Sequence, residues 1–223
     1  MEEMDLYPLY NSVRIALIST VIIFFAGTAA AYYISRLPRA VKGFLDVILT
    51  IPLVLPPTVI GYLLLRGLGP HRLFGEFFMN TFDIRLTMTW WSTVIATSVV
   101  SFPLMYRSCR GAFESFDTNI ADAARTLGHG GTFIFWRLML PVCRSGIISG
   151  MVLSFARALG EYGATSMVSG YIPGETATVS TTVYQLWRTE NDELAMKWVL
   201  INLLISFTVL FFMNMLENRR RKI

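Results

Sequence analysis

The chain has 223 residues, 54% of them hydrophobic and only 15% charged, with a formal net charge of +4 and two cysteines. Soluble domains carry about 25% charged residues, so much of this surface faces something other than water. About five membrane spans of ~20 residues each, joined by short connections, suit the length, and Lys and Arg fall in short clusters rather than on the continuous basic face that nucleic-acid binding requires.

The start, Met1 to Asp5, is acidic. A cleaved signal peptide opens basic, so the first apolar run, 13–35, is expected to remain as a span. Its Ser19, Thr20, Gly27 and Thr28 are residues that let neighbouring helices approach closely. Arg36, Pro38, Arg39 and Lys42 close it.

A second run covers 43–65 and holds Pro52, Pro56 and Pro57. Proline removes a backbone donor and clashes with the preceding turn, and in a bilayer such a break survives only where protein or a water-filled path satisfies the freed carbonyls. Leu55-Pro56-Pro57-Thr58 therefore marks either a kinked structural helix or the lining of a conducting pathway, and both readings stay open. From 66 to 87 the chain is mixed, with Gly67, Gly69, Pro70 and Gly75 marking turns. A third span is predicted over 88–106, anchored at the interface by Trp90 and Trp91.

The chain then turns hydrophilic over 107–144. Ile120, Ala123, Ala124 and Leu127 recur at helical spacing, Asp117 or Thr118 can cap the start, and Gly128, Gly130 and Gly131 end the stretch. Such a helix can lay its stripe into a groove on a partner. A second helical stretch leads to Leu138-Met139-Leu140-Pro141. Cys109 and Cys143 flank this region without metal-type spacing and read as plain reduced thiols. A fourth span is predicted over 146–168, a short helix over 176–186, and a fifth span over 198–216, ahead of Arg219-Arg220-Arg221-Lys222.

Five spans put the termini on opposite sides. One side collects twelve Lys and Arg (Arg36, Arg39, Lys42, Arg107, Arg110, Arg125, Arg137, Arg144, Arg219, Arg220, Arg221, Lys222) and the other six (Arg14, Arg66, Arg72, Arg85, Arg188, Lys197). Basic residues accumulate in cytoplasmic loops, so the N-terminus is expected outside, and the 107–144 loop and the C-terminus in the cytoplasm. A sixth span would move one terminus and leave that loop facing inward.

Arg157 and Glu161 are four residues apart in the fourth apolar run and are expected to share a helix face. Ionisable residues in a span face a partner or a cavity. They form either an internal ion pair, the favoured reading, or a point of positive potential on the path of an anion, moderated by Glu161. No Gly-x-x-x-x-Gly-Lys-Ser/Thr phosphate cradle is present, His71 and His129 are isolated, and no nucleophile-base-orienter set stands out. An enzyme is not expected.

Asp122-Ala123-Ala124, three residues, Gly128, nine residues, then Leu138-Met139-Leu140-Pro141 resembles the coupling-loop signature of bacterial ABC-importer permeases, with Asp for the usual Glu and Leu for the usual Ile. The runs 51–59, 102–105, 123–128, 155–165 and 172–176, in that order, resemble the molybdate permease subunit of such importers. The resemblance implies an all-α, polytopic type I ABC importer permease fold in a prokaryotic inner membrane, one permease domain over 1–223. It implies ATPase coupling through Asp122, Ala123, Ala124, Gly128, Leu138, Leu140 and Pro141, and a pathway or gate at Pro56, Pro57, Thr58, Arg157 and Glu161. The partners it implies are a second copy of the chain, two ATPase subunits that use ATP and Mg, and an extracytoplasmic molybdate-binding protein, with no cofactor on this chain. Tungstate or sulfate are alternative cargoes. An ATPase-independent secondary transporter would instead show inverted repeats with interrupted helices in both halves, and the proline run has no evident later counterpart.

Overall fold

A computed structural model describes residues 5–220, leaving aside the side chains of Leu73, 212–214 and 216–220. The first four residues, Arg221 and Lys222 lie outside the described residues. In chain order the helices are α1 (Tyr7–Ser35), α2 (Arg39–Val54), α3 (Pro57–Leu68), α4 (Leu73–Phe82), α5 (Trp90–Glu114) and α6 (Thr118–Thr126). A continuous helix, Gly131–Leu159, follows, comprising α7 (Gly131–Phe133), a π-helical turn (Ile134–Met139) and α8 (Leu140–Leu159); α9 (Gly163–Val168), α10 (Val179–Arg188) and α11 (Asp192–Arg220) complete the chain.

The centre is α5, flanked by α1 and α8. Parallel alignment of α1 with α5 shows in three contacts down their length: the Ser19 hydroxyl donates to the Val94 carbonyl at 3.3 Å, Thr28 Oγ1 meets Cys109 Sγ at 3.6 Å, and the Tyr32 ring packs on Phe113. Antiparallel α8 is held by Ser108 donating to the Gly146 carbonyl at 2.7 Å and Ser154 donating to Ser101 at 3.5 Å. Small residues set these approaches: a Cβ on Gly27 would lie 2.9 Å from Met105, and one on Gly146 would lie 2.6 Å from the Ala112 side chain.

Among the described residues three helices are long and apolar enough to cross a membrane, or four if α2 and α3 count as one broken span. The expected third span is the difference. With 25 residues, α5 is roughly 37 Å long, but it is rich in Ser and Thr. Ser92, Thr93, Thr97 and Ser101 are buried, so its surroundings are other helices rather than lipid. A Thr89–Ser92 capping box starts it, each backbone N–H donating to the other side chain.

The second span, expected over 43–65, is two helices bent by 110°. The residue before a proline is pushed out of the α region, and here that happens twice in succession: Leu55 (φ −71°, ψ 141°) precedes Pro56, and Pro56 (φ −53°, ψ 135°) precedes Pro57. The fourth span differs as well. It begins at Gly131 rather than 146 and ends at Leu159, and α9 resumes at Gly163. The proline break thus has a later counterpart, made without proline.

Much of the expected 107–144 loop is helix continuing past the apolar runs. The π turn has a local cause. Pro141 follows it inside the continuous helix, and its ring would collide with the carbonyl one turn back, a strain that a wider turn relieves. The 66–87 segment holds α4, a helix the turn residues around it obscured.

Candidate functional site

The segment expected to couple to an ATPase sits at one end of the bundle, where the C-terminal ends of α1 and α5 meet the start of the long helix through Tyr32, Phe113 and Phe135. Asp117 caps α6, its Oδ1 accepting the Asn119 N–H at 2.9 Å. At the other end Gly128 adopts φ +85°. Its N–H reaches the Arg125 carbonyl at 2.9 Å and the His129 N–H reaches Ala124 at 3.0 Å, the paired bonds of a Schellman cap.

The predicted stripe divides in two. Ala124, with Ala121, is buried in the core cluster beside Phe113, Phe116 and Ile134. Ile120, Ala123 and Leu127 stay outside, Leu127 at 78% exposure. One side of α6 seats the helix; the other offers an apolar ridge at i, i+3 and i+7. Asp122 is exposed and pairs with Arg125 at 2.6 Å. Leu138 and Leu140 pack against the same core cluster, and Pro141 is exposed at the start of α8.

The two interruptions come together in the membrane-spanning part. A Cβ on Gly163 would lie 2.9 Å from Pro57 and 3.2 Å from the Thr58 nitrogen. One on Gly61 would lie 2.8–2.9 Å from Met167 and the Ala164 backbone. The helices that restart after each break, α3 and α9, are therefore in backbone-level contact. Pro57, Thr58 and Glu161, read separately from the sequence, form one locus around Gly163, with Pro56 and Thr58 exposed.

Arg157 and Glu161 are paired there, Nη1 to Oε2 at 2.6 Å, with the Glu161 side chain 1% exposed and that of Arg157 33%. They do not share one uninterrupted helix, because Glu161 lies past the end of α8 at Gly160. Its other oxygen, Oε1, accepts the Ala164 N–H at 2.8 Å, so the carboxylate ties the last turn of α8 to the first turn of α9.

A further polar group was not foreseen. Asp46 of α2 binds Tyr106 and Arg110 of α5, Lys42 pairs with Glu114, and Arg110 Nε donates to Glu114 at 3.1 Å. This lattice clamps α2 to α5 near the α6 end of the bundle. Arg110 and Glu114 at i, i+4 were visible in the sequence; Asp46 is brought to them only by the fold. Both cysteines are free and buried, and His129 stacks on Phe133 with centroids 4.0 Å apart.

The model of a family described as the binding-protein-dependent transport system inner membrane component matches residues 22–222. The chain belongs to this family. It is accordingly an all-helical, multi-pass inner-membrane component of a transport system that depends on a binding protein, and its fold is that of a type I ABC importer permease. It is 39% identical over 211 residues to the molybdenum transport system permease protein ModB of Escherichia coli strain K12, covering 89% of this chain and 92% of that protein. It is also 33% identical over 193 residues to the sulfate transport system permease protein CysW of Synechococcus elongatus, covering 86% of this chain and 67% of that one. In fold it resembles a chain of a bacterial alginate ABC transporter in complex with an alginate pentasaccharide-bound periplasmic protein, with a TM-score of 0.79 at 16% identity, covering 98% of this chain and 80% of that chain.

Proposed function

We propose that this chain is the membrane-spanning subunit of an ATP-driven molybdate importer, and that it changes access from one side of the membrane to the other when partner ATPases close on ATP. The observation that carries the machine is α6: a capped helix seated by Ala121 and Ala124, with Ile120, Ala123 and Leu127 left outward as a ridge for a groove on another protein. The cargo rests on the similarity to ModB over nearly the whole of both chains. Sulfate is the second reading, carried by the likeness to CysW at lower identity. Membership of a binding-protein-dependent family weighs against an ATPase-independent transporter.

The partners in this reading are a second copy of the chain, two ATPase subunits that hold ATP and Mg, and an extracytoplasmic binding protein. No nucleotide, metal or catalysis is assigned to the chain itself. All of 1–223 acts as one permease domain. The coupling end, which carries the basic clusters Arg36–Lys42 and Arg107–Arg110, faces the cytoplasm, with the N-terminus outside. Closure of the ATPases moves α6 as a rigid lever, and the long Gly131–Leu159 helix, against which α6 packs, transmits that motion toward the Glu161 break. The free energy comes from differential contacts in the two states. Pro56, Pro57, Thr58, Arg157 and Glu161 form the moving joint of the pathway, the ion pair acting as its internal stitch.

The test is reconstitution of the chain with its ATPase and binding protein in proteoliposomes. Molybdate-loaded binding protein should stimulate ATP hydrolysis and drive molybdate inward, with sulfate-loaded protein much weaker. Uptake that proceeds without the ATPase, or sulfate in place of molybdate, refutes the corresponding half of the proposal.

A further inference from the structure

At the end opposite the coupling segment, α3 and α4 enclose a basic concavity. Its level is fixed by neighbouring contacts. Along α9, α3 runs toward Ser169, whose hydroxyl bonds Ser92 and Thr93 at the start of α5, and the Met88 N–H reaches the Val168 carbonyl at 3.0 Å. Trp90 and Trp91 lie at the same end, stacked at 3.7 Å, with the Arg14 guanidinium 3.9 Å over Trp90. Paired tryptophans and an arginine of this kind mark the membrane–water boundary.

Two adjoining cavities open there, of about 560 and about 390 Å³, and both are lined by Arg66, His71 and Arg72. Their walls are firmly set. Gly75 in the first turn of α4 is so close to the end of α3 that a Cβ would lie 2.0 Å from the Gly69 carbonyl oxygen. Among the described residues neither Arg66 nor Arg72 has a carboxylate within 4 Å, whereas Arg110, Arg125 and Arg157 each do. Phe74 lines the smaller cavity at 63% exposure, and Phe77 and Phe82 on the same helix are each 57% exposed.

We propose that this concavity binds the phosphate of a membrane phospholipid, with Arg66 and Arg72 holding the headgroup and the phenylalanines of α4 entering the acyl region beside it. Guanidinium groups match phosphate oxygens in geometry and charge, and unpaired arginines at a bilayer boundary gain most from such a partner. Two observations favour a lipid over a free dianion. Glu76 lines the smaller cavity and repels a doubly charged ion more than a phosphodiester, and Phe74 offers a bare oxyanion nothing. The inference needs only that the chain sits in a bilayer; it does not depend on the cargo.

Native mass spectrometry of the full chain in neutral detergent tests it, titrating phosphatidylglycerol, phosphatidylcholine or, without lipid, sodium molybdate and inorganic phosphate. Both lipids should bind, because they share the phosphate, and Arg66→Gln/Arg72→Gln should weaken that binding about tenfold, with Arg66→Lys/Arg72→Lys intermediate. Arg39→Gln/Arg188→Gln, which removes the same charge elsewhere, should leave it unchanged. Equal lipid binding by the glutamine variant, equal loss in the remote control, or displacement of lipid by equimolar molybdate or phosphate overturns the proposal. Should the glutamine variant not fold, Phe74→Ala/Phe77→Ala serves instead, and undiminished lipid binding by it overturns the proposal equally.

Discussion

Gly128 offers a clean separation of backbone strain from side-chain bulk. Its φ is +85°, and a Cβ built there meets nothing within 4 Å, so any replacement is penalised by backbone conformation alone within this chain. A left-handed conformation costs an L residue about 1–2 kcal/mol, less for Asn, and ~1.4 kcal/mol is a factor of ten in an equilibrium. Gly128→Ala should therefore open the Schellman cap in a fraction of molecules about five- to thirtyfold larger than before. Gly128→Asn should do so much less, although it is the larger side chain. The assay is the reconstituted complex, reading molybdate imported per ATP hydrolysed while the binding protein is varied. Coupling should fall in the order Gly, Asn, Ala, with assembly intact. If Asn proves worse than Ala, bulk at the partner surface decides the outcome and the strain argument fails.

Leu127→Ala truncates the more exposed of the two large side chains on the ridge; the midpoint of thermal unfolding should hold within a degree or two while retention of the ATPase on co-purification drops, and loss of stability would place Leu127 in the core instead. Arg157→Ala leaves Glu161 buried without its countercharge, a change that destabilises buried pairs by about 3–5 kcal/mol, moderated here because Arg157 is partly exposed. Uptake and thermal stability should both fall, and Arg157→Ala/Glu161→Gln should recover stability; normal uptake by the single variant would sink the role given to the pair. Gly61→Val drives a side chain into Ala164 and Met167, overpacking worth about 1–3 kcal/mol, and should impair transport, whereas Gly67→Ala, with open space around it, should be silent in the same uptake assay.

What could be read from the chain beforehand follows the range of the interactions involved. The helix α6 was legible because its cap, stripe and terminating glycine are local, and Asp117, Ala124 and Gly128 each do locally what their chemistry requires. The break at Pro56–Pro57 announced itself through two pre-proline residues. The break at Gly160 did not, since Gly160-Glu161-Tyr162 sits inside an apolar run and only contact with Pro57 across the fold explains it. The hydroxyl-rich α5 looked like an ordinary span because hydropathy averages over faces, and its polar side chains face other helices. Helix ends beyond the apolar runs, at Glu114 and Gly131, were hidden by the same averaging. Asp46 meets Arg110 across 64 positions, a distance no periodicity encodes.

The last helix stands apart in one respect. Only 11% of its apolar window is enclosed by the rest of the chain, against 44% for α1. Lipid solvates such a helix well enough for it to enter the bilayer unaided, leaving its packing as a separate and weaker step. Because it follows α1, α5 and α8 in the chain, the bundle of those three can be complete before this helix leaves the ribosome. The core is then finished while this helix has still to dock.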